Sequence, residues 1–310
     1  GLVGVAVAVE PKQNNGLAMF FDTDGTLVGS VTAGALPDMI TFTNDGTKAL
    51  VANEGEPNDD YDIDPVGSVT VIDVSDTASL TTTQVGFTAF NSQMATLEAN
   101  GVRIFGPGAT VAQDLEPEDA TEPGGVTAYV VLQENNALAV VDIASATVTS
   151  ILPLGTKDHS LFTNGLDASN KDKRINIREW PVKGLYMPDA IASATIGGKN
   201  YLFTANEGDS REYEDGDFLY VDEARVKDLK LDSTIFTEPD LQSSEKLGRI
   251  KVKTALPDTN AAGEYKTLYT FGARSFFFNS LSSFFNPGPS FQRIEKGVFN
   301  FLKNFQAFFA

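Results

Sequence analysis

The feature that most restricts the fold of this chain is a unit that recurs three times in order. One copy runs Leu36-Pro37-Asp38-Met39-Ile40, a turn at Asn44-Asp45-Gly46, then Ala49-Leu50-Val51-Ala52-Asn53-Glu54-Gly55. The next has Glu116-Pro117-Glu118-Asp119, a turn at Gly124-Gly125, and Ala128-Tyr129-Val130-Val131-Leu132-Gln133-Glu134. A third has Met187-Pro188-Asp189, a turn at Gly197-Gly198, and Tyr201-Leu202-Phe203-Thr204-Ala205-Asn206-Glu207-Gly208. Proline to glutamate spans 17 residues in the first two copies and 19 in the third, the extra pair falling in the turn. Each copy reads as strand, glycine turn, strand. Further strands follow at 67–74 and 136–143, with a weaker outer strand at 147–151. Short antiparallel strands repeating in this way predict the four-stranded blades of an all-β propeller. A β-sandwich gives no reason for the same proline–acid…glutamate pattern to return.

Partial units flank these three. Val5 to Glu10 is an apolar strand ending in glutamate, and Tyr265 to Arg274 resembles a fifth copy. So few blades predict an incomplete ring. The apolar opening, Leu2 to Val9, reads as a strand that begins partway through a blade, with the true N-terminus upstream. Residues 1–275 are therefore expected to be blades, with long insertions near 88–115, 156–186 and 208–247 leaving from one face, where loops carry function. Residues 271–310 hold 12 of the 22 phenylalanines. Within the segment 276–310, expected to continue the same domain, Ile294, Val298, Phe301, Leu302, Phe305 and Phe309 can share one face of a docking helix.

Composition narrows the function. A formal net charge of −19 argues against nucleic acid or an anionic membrane as partner and favours divalent cations. The chain lacks cysteine, so neither disulfides nor thiol chemistry is available, and His159 is its single histidine. No apolar run reaches the roughly 20 residues of a membrane-spanning helix.

The same repeats carry a family resemblance. Asn53-Glu54-Gly55-Glu56-Pro57-Asn58, Gly101-Val102-Arg103-Ile104-Phe105-Gly106-Pro107-Gly108 and Ala205-Asn206-Glu207-Gly208-Asp209, with matching stretches at 35–38, 109–117, 132–142, 165–169 and 189–193, resemble the choice-of-anchor I family. Its animal relatives are mesenchyme-specific cell-surface glycoproteins. The resemblance covers about residues 1–275 and implies an exported propeller, periplasmic, secreted or held at the cell surface. Some members carry an alkaline phosphatase label. The family continues after Phe276 with a tryptophan-containing strand, which this chain lacks.

Superposing the repeats places Glu10, Glu54, Glu134 and Glu207 at equivalent strand ends, hence around one mouth of the channel. Asp38, Glu118 and Asp189 come from the neighbouring proline–acid turns, and Arg274 holds the corresponding place in the fifth copy. Two carboxylates ~5 Å apart repel by about 3 kcal/mol at an effective dielectric near 20. Such a ring calls for a cation, a shared proton or Arg274 as counter-charge. Oxygen ligands without cysteine point to Ca²⁺, with Mg²⁺ or another divalent metal as the alternative. Strand-end hydrogen bonding is the plainer reading of the same glutamates.

Three loops carry weaker signals. Acidic runs follow Glu54 and Glu207, at 54–64 and 207–217. Asp167, Ser169, Asp172 and Glu179 recur at spacings near those of an EF-hand loop, without its central glycine and with one extra residue. His159, on the same insertion, is a candidate general base or ligand. Asp22-Thr23-Asp24-Gly25-Thr26 matches the first motif of haloacid dehalogenase phosphatases, but that chemistry needs a parallel sheet, and Asp24-Gly25 between strands predicts a hairpin.

Two functions follow. One is an exported, acidic, calcium-binding propeller acting in a surface, matrix or adhesion role. The alternative is a metal-dependent phosphoesterase in which mouth carboxylates hold a metal cluster, with Arg274 steadying charge. A lactonase-like hydrolase using one axial Ca²⁺ and His159 is a third, weaker reading.

Overall fold

The computed structural model describes residues 1–273 and, as backbone alone, 275–280. Four antiparallel sheets follow one another along the chain. The first holds β1 (Leu2–Val7), β2 (Asn15–Asp22) and β3 (Leu27–Ala35). The second runs β4 (Pro37–Phe42), β5 (Lys48–Asn53), β6 (Ser68–Asp73), β7 (Thr81–Gly86) in sequence order. The third runs β8 (Pro117–Thr121), β9 (Thr127–Leu132), β10 (Ala137–Asp142), β11 (Thr147–Pro153).

After this third sheet come β12 (Thr156–Asp158), the hairpin β13 (Leu166–Asp167) and β14 (Ile177–Arg178), and β15 (Lys183–Leu185). The fourth sheet pairs β16 (Pro188–Ile196) with β17 (Lys199–Asn206). Beyond it lie the hairpin β18 (Glu212–Asp215) and β19 (Phe218–Val221), then β20 (Glu223–Arg225), β21 (Lys251–Lys253), β22 (Tyr269–Thr270) and β23 (Ser275–Ser280). β23 returns to pair with β17 and becomes the third strand of the fourth sheet.

The sheets pack face to face as propeller blades do, and the residue pattern explains why. Ala49 and Val51 of β5 enter the core against the first sheet, while Leu50 enters the core against the third. β9 and β10 divide the same way: Val130, Leu132, Ala139 and Val141 face the second sheet, and Val131, Leu138 and Val140 face the fourth. A strand buried on both faces must be apolar at every position, which is why these segments read as continuous rather than alternating runs. Contacts run in series from β1 to β4, β4 to β8 and β8 to β16. The chain is thus an all-β propeller with four blade-like sheets among its described residues.

The fifth unit expected at 265–274 is not formed. Only Tyr269–Thr270 is strand, and it lies in a mixed five-stranded sheet of order β12-β15-β22-β21-β20. A parallel pairing with β15 holds it there, beside a core that the 156–186 and 208–247 insertions share, with Trp180 and Val182 from the first, Val226 and Leu247 from the second, and Leu268 just before the strand. The expected helix over 294–309 and residue Arg274 lie outside the described residues. The Asp22–Thr26 segment is the predicted hairpin turn: Asp22 Oδ1 accepts from the Asp24 and Thr26 amides at 3.0 and 2.8 Å, and Gly25 has φ 82°.

Candidate functional site

Backbone crossings set the carboxylates in place. The Glu54 amide donates to the Leu36 carbonyl at 2.9 Å and the Gly55 amide to Ala35 at 3.1 Å. These bonds hold the end of β5 across from the Leu36-Pro37-Asp38 entry to β4. Leu36 has φ 47°, and Met187, its counterpart before Pro188, has φ 44°. Both turn the chain sharply into the inner strand, at some backbone strain. Beside each glutamate lies a buried asparagine. Asn53 accepts from the Gly34 amide at 2.9 Å and donates to Ser68 and Thr70. Asn135 donates to the Arg103 and Asp114 carbonyls at 2.8 and 2.7 Å. These side chains occupy the backbone polar groups of the mouth and leave the carboxylates free to face inward.

Asp38, Glu54 and Glu118 converge: one oxygen from each lies within 4.8 Å of the other two. They come from two adjacent sheets. Burial first, and then the neighbouring Glu56, Asp38 and Glu134, push the Glu54 carboxyl up to about 9. Burial and the charges of Glu134, Glu54, Asp38 and Asp189 push Glu118 up to about 10. Asp38, nearer the rim, is raised by burial and by Asp189 and Glu56. Glu134 is buried and raised for the same first reason, and its Oε2 has no hydrogen-bond partner. Glu116 Oε1 is likewise buried and unpartnered.

The inferred ring is therefore an arc. Asp38 feels the charge of Asp189, Glu54 feels Asp38 and Glu134, and Glu118 feels all four. Glu10 and Glu207 are exposed and enter none of these interactions. The reason is positional: each belongs to an end sheet, covered on one side only among the described residues.

Counter-charge comes from Arg211, the one base in the acidic 207–217 run. Its guanidinium donates to Asp114 Oδ1 at 2.6 Å, to Glu116 Oε2 at 2.7 Å and to the Asp114 carbonyl at 2.8 Å, fully buried. Arg103 makes a second buried ion pair, with Asp222. Both guanidiniums stack on Phe105, at 4.1 and 4.4 Å from the ring centre. Tyr61 packs edge-on against Tyr213 and Tyr220, closing the same wall. A polar cavity of about 400 Å³ opens between Glu56, Asp59, Glu116, Glu134, Asp209 and Arg211. A signal for Arg211 was present in principle, as a lone base amid carboxylates, but its partners are about 95 residues away in sequence.

The other predicted residues lie elsewhere. Among the described residues no second group of three carboxylates converges, so Asp167, Asp172 and Glu179 do not meet as an EF-hand set would. Asp172 pairs with Arg174, and the Ser169 hydroxyl donates to the Ser244 carbonyl at 2.5 Å. In the 54–64 loop Asn58 bonds Asp62 and the Ile63 amide, folding the loop on itself. His159 is 2 % exposed, with Nδ1 2.6 Å from the Asn164 carbonyl, and it lines neither the mouth cavity nor the larger cleft beside it. It braces the turn after β12.

Three oxygens confined to 4.8 Å match what a single Ca²⁺ can bridge, since Ca–O bonds of about 2.3–2.6 Å put opposite ligands about 5 Å apart. The orphaned oxygen of Glu134 supplies a further hard donor beside them. These residues fit a hard divalent cation.

The family model for the choice-of-anchor I domain matches residues 1–303. A search of the curated proteins found no match. Among solved structures, Kuenenia stuttgartiensis hydrazine synthase is 11 % identical, with a TM-score of 0.40, over 66 % of this chain and 52 % of that one. The periplasmic gluconolactonase PpgL of Pseudomonas aeruginosa is 15 % identical, with a TM-score of 0.34, over 66 % of this chain and 47 % of that one. The β-propeller domain of Myceliophteria thermophila Cps50 (Swd1) is 10 % identical, with a TM-score of 0.34, over 66 % of this chain and 48 % of that one. The chain spans about half the length of each of these chains. No helix among the described residues is long and apolar enough to cross a membrane.

Proposed function

Because the chain belongs to the choice-of-anchor I family, we propose that it is a surface propeller that binds a divalent cation, Ca²⁺ first, at Asp38, Glu54 and Glu118. Membership supports a cell-surface or extracellular protein of propeller type. The convergence of the three carboxylates carries the cation reading. Without a cation the charges of half-buried Glu54 and Glu118 and of exposed Asp38 crowd one another, and the two glutamates hold protons instead. With one, Glu54 and Glu118 from adjacent sheets become ligands of a single centre, and the mouth is cross-linked. That role suits a protein used as an anchored scaffold or adhesive module, where the cation contributes rigidity. Mg²⁺ demands shorter bonds and a nearly octahedral shell, so it is the poorer fit.

The phosphoesterase alternative needs cationic groups to receive phosphoryl oxygens. Arg211, the buried base of the mouth, is committed to Asp114 and Glu116, and we therefore favour the non-catalytic role. Calorimetric Ca²⁺ titration of chelator-treated protein tests both, with p-nitrophenyl phosphate turnover followed in the same samples. Binding that raises the melting temperature and vanishes in Glu118→Gln supports the reading. Absence of binding overturns it, and metal-dependent turnover lost in the same variant would make the mouth an active site.

A further inference from the structure

Beside the carboxylate mouth lies a second, larger cleft of about 860 Å³. Its walls come from the 166–174 hairpin tip, the 208–210 turn, the 249–251 segment and residues 270–272. Its floor is fixed by two glycines in left-handed conformation: a Cβ on Gly208 would stand 2.0 Å from the Gly272 amide nitrogen, and one on Gly272 1.9 Å from the Glu207 carbonyl. In a chain of net charge −19 the cleft gathers four bases: Lys173, Arg174, Arg249 and Lys251. Two are neutralised locally, Arg174 by Asp172 and Lys251 by Glu223. Lys173 and Arg249 are exposed, and neither side chain pairs with any described residue.

The same walls carry groups that accept. Asp167 has one carboxylate oxygen shielded from water and unpaired, and Asp209 stands exposed across the cleft. Asn170 and Thr270 add an amide and a hydroxyl edge. A ligand that suits both sets must bring acid groups for Lys173 and Arg249 and hydroxyl donors for Asp167 and Asp209. A simple oxyanion brings only the first, and its small size leaves most of the volume to water. From this pairing of free cations with hungry carboxylates, we infer that the cleft binds an acidic saccharide, a short chain of uronic-acid sugars. Arg249 can fork onto the sugar carboxylate in a bidentate pair while ring hydroxyls face the acidic wall.

The probe is α-1,4-linked trigalacturonate, titrated calorimetrically into the full chain at low salt with chelator present, so that calcium bridging plays no part. Binding is expected at sub-millimolar concentration, weakened at least tenfold in Arg249→Ala and further in the Lys173→Ala, Arg249→Ala double variant. Both side chains are exposed and unpaired, so the melting temperature serves as the folding control and should not move. The inference fails if trigalacturonate does not bind, or if the double variant binds it as well as the parent. It fails too if inorganic phosphate or the fully methyl-esterified trisaccharide binds equally tightly, since the ligand would then be a plain anion or a neutral sugar. Because the chelated protein is used, failure of the calcium reading leaves this outcome unaffected.

Discussion

Glu54 and Glu118 leave the ends of strands in two neighbouring sheets, yet a carboxylate oxygen of one lies within 4.8 Å of an oxygen of the other, with Asp38 completing the group. At that separation two charges repel by about 3 kcal/mol at an effective dielectric near 20. A sheet interface that is otherwise alanine, valine and leucine therefore ends in a point of conflict. Replacing either glutamate with glutamine should remove the conflict and the cation together. Glu54→Gln is expected to match the parent in stability at pH 4 in chelator, below the carboxyl's unfolded value, to exceed it at pH 9, and to lose at least tenfold in Ca²⁺ affinity, about 1.4 kcal/mol. Denaturant titrations at the two pH values and calorimetry check the three parts separately.

The raised carboxyls set a pH dependence. In the folded state Glu54 and Glu118 keep their protons up to about 9 and about 10, whereas in the unfolded chain they release them near 4.5. The folded state then binds more protons than the unfolded one, so stability falls as pH rises across that window. Melting temperatures in chelator should decline from pH 5 to pH 9. Saturating Ca²⁺ should flatten the slope, and binding at pH 7 should release protons, seen as a buffer-dependent heat. A flat profile in chelator would contradict the buried-carboxyl account.

Arg211 should be the most costly single charge to delete. Its removal leaves Asp114 and Glu116 buried without a cation, a situation worth about 3–5 kcal/mol. Arg211→Met is expected to lower the urea midpoint accordingly. Arg211→Lys should recover little, because one ammonium cannot serve two carboxylates and a carbonyl in a plane.

A backbone test of the blade packing is Gly67→Ala. The added methyl would stand 1.9 Å from the Leu115 carbonyl oxygen and 2.8 Å from the Pro117 ring, at the junction of the second and third sheets. Since the obstacle is backbone, the sheets must part, and a loss above ~2 kcal/mol is expected in equilibrium unfolding. Gly46→Ala, in an open turn with nothing near, makes the control, costing only what its φ of 69° imposes.

What the sequence disclosed and what it withheld follow one line. Local periodicity and exact spacing exposed the second and third blades, because Pro37 to Glu54 and Pro117 to Glu134 repeat without interruption. The same spacing brought Asp38, Glu54 and Glu134 to one mouth. It also enrolled Glu10 and Glu207, since equivalence along the chain carries no information about whether a neighbouring sheet covers the position. The Tyr265–Thr270 stretch has strand character but joins β15 and β21, a competition decided by distant partners. Arg211 and Arg103 escaped for the same reason: their carboxylates lie about 95 and 119 residues away.

Phe105, held between the guanidiniums of Arg103 and Arg211, joins segments that the repeat pattern classes as insertions. Arg103 and Phe105 belong to one, Arg211 and Asp222 to another, and the carboxylates Asp114 and Glu116 lead straight into the third blade. A protease or a protein engineer would meet these stretches as masonry rather than as trim. Shortening either one to a tight hairpin would strand a buried charge in the other, so the two can be exchanged between relatives only as a matched set.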